Sequence, residues 1–203
     1  MNIKLTNFQK IKILCSDDIY GIMQKILLRE NKIDRNREHF WTISLDNANK
    51  ILNIELVSMG SATKTVVEPM EVFSIPLQKR AVRVILVHNH PSGEITPSKA
   101  DMDISDRLIQ AGRILQTPVL DHLIITEKTF FSFKDVGLIE ELEQSTKYVT
   151  AYELKQRYER TGQEKGEAKG EQKKAKEMAR AMKQKGLDLD LIAKKTIQRL
   201  KIE

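Results

Sequence analysis

The sequence contains a single cysteine and no long run of apolar residues. Cys15 has no second cysteine with which to form an internal disulfide, which fits a reducing compartment. We expect Cys15 to be a small buried apolar residue. No stretch is long enough to cross a bilayer, and the first residues lack an apolar signal segment. The sequence therefore predicts a cytoplasmic protein that makes no membrane contact.

Most of the chain also lacks an excess of charge of either sign. Residues 1–154 contain 19 Lys and Arg against 20 Asp and Glu, whereas residues 155–203 contain 15 against 8. The net charge of +6 therefore belongs to the C-terminal tail. A nucleic acid could bind residues 155–203 through this charge, although a solvated helical face is the simpler interpretation.

Apolar spacing divides the chain into three predicted parts. Residues 1–35 have helical spacing, with Ser16 as the expected N-cap of a helix. Residues 36–145 alternate strands and helices, which predicts an α/β (α+β) domain with a single sheet flanked by helices. Residues 146–203 are highly charged and low in complexity near their middle, which predicts a helical charged C-terminal tail.

The predicted sheet has one central strand. The nearly continuous apolar run at residues 82–87 is typical of a strand buried on both faces. Further strands are expected at residues 40–45, 51–57 and 119–125, with a short edge strand at 130–133. Helices are expected at residues 69–80, where Pro76 should bend or cut the helix, and at residues 98–115.

Three side chains suited to metal binding follow the central strand. His88 and His90 are two residues apart on extended chain, so both imidazoles should face the same side. Asp101 lies in the first turn of the next predicted helix. Two imidazoles and one carboxylate suit Zn²⁺, and three protein ligands leave a fourth position for water, as in catalytic zinc sites. The sequence therefore predicts one zinc ion per chain.

Each part of this pattern also has a simpler explanation. A His-x-His pair occurs by chance on surface strands, and Ser98 with Asp101 at a helix start matches a capping box. Ser98 could instead donate its hydroxyl hydrogen to the oxyanion of a tetrahedral intermediate. The joint order and spacing of these residues, at the end of a buried strand, favour the metal site.

That order resembles the JAMM (MPN-plus) motif, which is His-x-His-Pro, six residues, Ser, two residues and Asp. The flanking residues 85–93 and 119–125 resemble the bacterial RadC-like branch, and the similarity covers about residues 15–140. The resemblance implies a cytidine-deaminase-like JAB/MPN fold and a zinc-dependent metallopeptidase, or hydrolase of isopeptide bonds. The matching residues here are His88, Asn89, His90, Pro91, Ser98 and Asp101.

The resemblance also implies an acid–base glutamate on an early strand. Glu38, just before an aromatic pair, fits that place, and an ordinary surface glutamate at a strand start is the alternative. Glu55 and Glu68 are other candidates in poorer contexts. His122, in the family's Asp-His dipeptide, is expected to be a hydrogen-bonded structural histidine, with a role behind the metal ligands as the alternative.

Two other functions stay open. The basic tail and the RadC resemblance fit a DNA-associated accessory protein, in a DNA-repair or mobile-element context. Residues 1–35, however, lack the helix-hairpin-helix region of longer RadC proteins. A non-catalytic protein that binds a protein partner is the third interpretation, and the complete ligand set argues against it.

Overall fold

The computed structural model of the protein describes residues 12–60, 67–162 and 169. Five strands form one mixed sheet flanked by helices, as the sequence predicts. In chain order the elements are α1 (Ser16–Leu27), α2 (Lys32–Arg35), β1 (His39–Leu45), β2 (Ile51–Met59), α3 (Pro69–Gln78), β3 (Arg83–Asn89), α4 (Lys99–Ile114), β4 (Val119–Ile125), β5 (Phe130–Ser132) and α5 (Leu138–Glu143).

The sheet has the strand order β2-β1-β3-β4-β5, so β3 is central. β3 is antiparallel to β1 and parallel to β4, and α4 connects the two parallel strands. The residues from Val84 to Val87 are 0% exposed, which confirms the prediction of a strand buried on both faces. The predicted edge strand is also confirmed as β5.

Two apolar cores lie on opposite faces of the sheet. One contains the buried residues of α1 together with Ile85 and Val87 of β3. The other contains Val84 and Leu86 of β3 with apolar residues of α3 and α4. Because side chains alternate along a strand, His88 continues the row of Val84 and Leu86 and faces the α4 layer.

The start of α1 corrects two expectations. Cys15 is exposed rather than buried, because it is the N-cap residue and the apolar face of α1 begins only at Ile19. Ser16, the expected N-cap, is the first helical residue, and its hydroxyl donates to Asp135 Oδ2 over 2.5 Å. Asp18 Oδ2 instead accepts from the backbone N–H of Cys15.

Pro76 does not cut α3, which continues two residues further to Gln78. Contacts divide the chain into two compact units, Met1–Tyr148 and Val149–Glu203. The second unit has a helix over residues 151–162, and nearly all of the remaining tail predicted as helical lies outside the described residues. The three-part division at residues 35 and 145 stays a prediction. In the described ranges, no helix is long and apolar enough to span a membrane.

Candidate metal centre

His88 and His90 lie at the end of the central strand. His88 is paired with Phe40 of β1 and Ile124 of β4, so its backbone is held on both sides. His90 follows β3, and its N–H donates to Ile125 O over 3.1 Å, which keeps it beside β4. The two Nε2 atoms are 3.0 Å apart. The strand end therefore presents both imidazoles to one point.

Asp101 reaches the same point from the first turn of α4. Its Oδ1 is 3.2 Å from His88 Nε2, and its Oδ2 is 3.4 Å from His90 Nε2. The ligand atoms of the three residues all lie within 4.8 Å of one another. Among the described residues this is the one group of histidine, cysteine or acidic side chains close enough to hold a metal ion.

A capping box fixes Asp101 at the helix start. Ser98 is the N-cap of α4, and its Oγ accepts from Asp101 N over 3.1 Å. In return, Ser98 N donates to Asp101 Oδ2 over 2.7 Å. The capping box and the metal site, which the sequence leaves as alternatives, therefore share the same two residues. Ser98 is exposed, and its hydroxyl hydrogen is not used in the capping box.

The loop between the ligands orients His90. Gly93 N donates to His90 O over 3.1 Å in a turn with Pro91 at its second position, and Gly93 has φ of 85°, in the left-handed region that favours glycine. The chain then returns so that Glu94 O lies 2.8 Å from His90 Nδ1. A carbonyl oxygen can only accept, so Nδ1 carries a hydrogen, and in the neutral imidazole the lone pair of His90 lies on Nε2.

Asn89 lies between the two histidines, and its side chain hydrogen-bonds the end of β3 to the segment that contains Glu38. Its Oδ1 accepts from His39 N over 2.7 Å, and its Nδ2 donates to Arg37 O over 3.0 Å. These bonds lie on either side of Glu38 in the chain. The partly buried Glu38 is close enough to His90 to act on the imidazole electrostatically. Asn89 thus faces away from the ligands, and no local sequence pattern predicts its hydrogen bonds.

His122 stands behind His88 and is completely buried. Its Nε2 is 2.8 Å from His88 Nδ1, and its Nδ1 is 2.6 Å from Ser105 Oγ. The hydrogen-bonded structural histidine that the sequence predicts is therefore present, in direct contact with a candidate ligand. Sequence analysis missed Ser105. Its signal was the spacing of four residues from Asp101, which places both on one face of α4.

The electrostatics of the centre keep Asp101 ionised. Burial works against the charge, but the nearby imidazoles of His88 and His90, and then Ser98, hold the pKa of Asp101 well below its usual range. The hydrogen bond that the protonated form of His90 donates to Asp101 is the main cause that raises the pKa of His90. Burial lowers the pKa of His122 well below its usual range, so this imidazole is neutral.

Two clefts border the ligand cluster. One, of about 380 Å³, includes His90, Pro91 and Arg35 in its walls. The other, of about 310 Å³, includes Ser98 and Met102. The first cleft therefore reaches one candidate ligand, His90, whereas the second reaches the cap residue Ser98 and none of the three ligands.

The fold and the ligand cluster define a JAB-domain protein. The model of the RadC-like JAB domain family matches residues 13–138, and the chain belongs to this family. A UPF0758 protein of Desulforamulus reducens is 42% identical over 130 residues, which are 64% of this chain and 55% of the relative.

Further relatives show the same pattern. A UPF0758 protein of Flavobacterium johnsoniae is 42% identical over 127 residues, 63% of this chain and 53% of the relative. One of Moorella thermoacetica is 46% identical over 104 residues, 51% and 45% of the two chains. The chain thus spans about half the length of the curated relatives it matches. Their printed names state no activity.

Proposed function

We propose that this protein is a zinc-dependent hydrolase of the JAMM type that cleaves peptide or isopeptide bonds. The observation that supports this most is the convergence of His88, His90 and Asp101, from a strand end and a helix start, within 4.8 Å of one another. Membership of the RadC-like JAB domain family supports the same reaction class.

The donor set fits zinc. Two imidazole nitrogens and one carboxylate are a ligand set of catalytic zinc sites, and three protein ligands leave one position open. His90 Nδ1 is bonded to a carbonyl, which leaves its Nε2 for the metal. When bound, zinc supplies Lewis-acid chemistry: it lowers the pKa of a water molecule to about 7 and polarises a carbonyl group.

Two side chains of the protein carry out the proton transfer and stabilise the oxyanion. Glu38 takes a proton from the attacking water and returns it to the leaving nitrogen, as a general base and then a general acid. Its position supports this role because the carboxylate acts on His90, and because Asn89 holds the backbone of its two neighbours, Arg37 and His39, to β3. The exposed Ser98 hydroxyl donates to the oxyanion that develops on the substrate carbonyl.

Substitution of Glu38 tests the proposal. Glu38→Gln should bind zinc as tightly as the wild type but hydrolyse at least about 10²-fold more slowly, because general acid–base catalysis contributes about 10²–10⁴-fold. Zinc is titrated calorimetrically, and cleavage is followed with internally quenched peptides, half of them joined through a lysine side chain.

Two other glutamates provide matched controls. Glu55→Gln and Glu68→Gln change the alternative candidates in the same way, and Glu68 is already ion-paired to Arg107. Both variants should retain hydrolysis. Unchanged turnover in Glu38→Gln would refute the assignment of Glu38 as the general base. Failure of the wild-type protein to bind zinc would refute the proposal that it is a zinc-dependent hydrolase.

A further inference from the structure

A chain of three hydrogen bonds, two of them buried, connects two of the candidate ligands from behind. Ser105 Oγ donates to the main-chain oxygen of Asp101 over 2.5 Å. The same Oγ lies 2.6 Å from His122 Nδ1, and His122 Nε2 lies 2.8 Å from His88 Nδ1. Ser105 and His122 are each 0% exposed. The chain therefore runs from the α4 backbone, through β4, to the side chain of His88 on β3.

The direction of every hydrogen in this chain follows from its first bond. A carbonyl oxygen only accepts, so the single hydroxyl hydrogen of Ser105 points to Asp101. Ser105 Oγ must then accept from His122 Nδ1–H. A neutral imidazole has one donor and one acceptor, so His122 Nε2 accepts and His88 Nδ1 donates. The lone pair of His88 Nε2 is left free on the side of Asp101 and His90.

The surroundings of His122 support this assignment. Phe133 stacks on its ring at 4.9 Å between centroids, and Phe40 meets it edge-on at 5.6 Å. These apolar contacts fix the ring plane. They also disfavour the charged imidazole, which would donate from both nitrogens and reverse the bond to His88.

We propose that Ser105 and His122, here called the Ser105–His122 pair, are positioning residues that hold His88 as the Nδ1–H tautomer. His88 Nε2 is thereby kept available to a metal ion. Partners of this kind, behind a ligating histidine, orient the ring and tune its basicity. The inference rests on the proposed function only in that His88 is a metal ligand, and it requires no hydrolysis.

The tautomers are measured directly in the metal-free full-length protein. The chain has four histidines, so long-range ¹⁵N–¹H NMR spectra at mildly alkaline pH can resolve each ring. We expect His88 and His122 to be protonated at Nδ1. His39 serves as an internal reference, because its Nδ1 donates to Arg37 O elsewhere in the fold. Protonation of His88 at Nε2 in the wild type would overturn the proposal.

Metal affinity gives the second readout. Ser105→Ala removes the acceptor of His122 Nδ1–H, and His122→Phe retains an aromatic ring but removes the acceptor of His88 Nδ1–H. Each should weaken Zn²⁺ binding by about 10–100-fold. The matched control is Ser132→Ala, which removes another buried hydroxyl, one that donates to Asp121 Oδ2. It should bind Zn²⁺ like the wild type.

The outcomes separate this inference from the proposed function. Equal Zn²⁺ affinity in Ser105→Ala, His122→Phe and Ser132→Ala overturns the positioning role and leaves the hydrolase proposal intact. Selective loss of Zn²⁺ affinity in the first two variants, with a shift of His88 towards Nε2 protonation in Ser105→Ala, supports the role. That support stands even if the wild type cleaves none of the quenched peptides.

Discussion

Asp121 provides a pH-dependent test of the core beside the metal centre. The residue is 3% exposed, and its Oδ1 accepts from the backbone N–H groups of His122 and Lys134 over 2.7 and 2.9 Å. Burial nevertheless raises its pKa from 3.8 to about 6, with the nearby Asp135 adding to the effect. The folded protein therefore binds a proton at Asp121 more tightly than the unfolded chain does.

The sign and size of the effect follow from that difference. Stability from protonation of Asp121 is fully present below pH 3.8 and is lost as the pH rises through about 6. The whole shift corresponds to about 3 kcal/mol, of which about 2 kcal/mol falls between about pH 4.5 and 7.5. Asp121→Asn keeps the shape and an acceptor oxygen but does not titrate, so it should lack this contribution.

The assay is urea unfolding of metal-free wild type and Asp121→Asn at a series of pH values. Taking the difference between the two proteins removes the titration of the histidines, which both contain. We expect the wild type to gain about 2 kcal/mol relative to the variant on going from about pH 7.5 to 4.5. A difference that is flat, or that changes in the opposite direction, would refute the assignment of a raised pKa to Asp121.

Two further predictions concern the Glu38 segment and the tail. Asn89→Ala should reduce peptide cleavage by about 10²-fold, because misplacing a catalytic group such as Glu38 by about 1 Å slows the reaction by that factor. The affinity for Zn²⁺ should change little. An equal loss of cleavage and of Zn²⁺ affinity would place Asn89 in metal binding instead. If nucleic acid binds the tail, affinity for duplex DNA should fall steeply with salt and vanish on deletion of residues 155–203, and salt-insensitive binding would contradict the charge argument.

The sequence predicted those parts of the fold that local patterns determine. The apolar run before His88 predicts the central strand, because a strand that is buried on both faces has apolar side chains at nearly every position. The spacing of apolar residues after Ser98 predicts α4, because a helix that is buried along one face repeats apolar residues every three to four positions. The approach of Asp101 to the histidines also followed, since both lie on one strand-loop-helix segment. The catalytic roles of Glu38 and Ser98 stay predictions.

Other features depend on contacts between distant segments and leave no local pattern. Asn89 binds residues about fifty positions away, and Ser105 meets His122 across seventeen. Cys15 was expected to be buried on residue type alone, whereas its place at the N-cap leaves it exposed. The contacts of Asn89 and Ser105 and the exposure of Cys15 therefore depend on where each residue lies in the folded protein, and not on its residue type.

The three candidate ligands and the Ser105–His122 pair all come from one β3-α4-β4 unit, whereas Glu38 precedes β1. The candidate metal ligands and the proposed general base therefore lie in separate stretches of chain, about fifty residues apart. If Glu38 is the general base, a change confined to the segment before β1 removes the acid–base group and leaves all three candidate ligands in place. Under the proposed function, zinc binding and hydrolysis are therefore separable by substitution at position 38 alone.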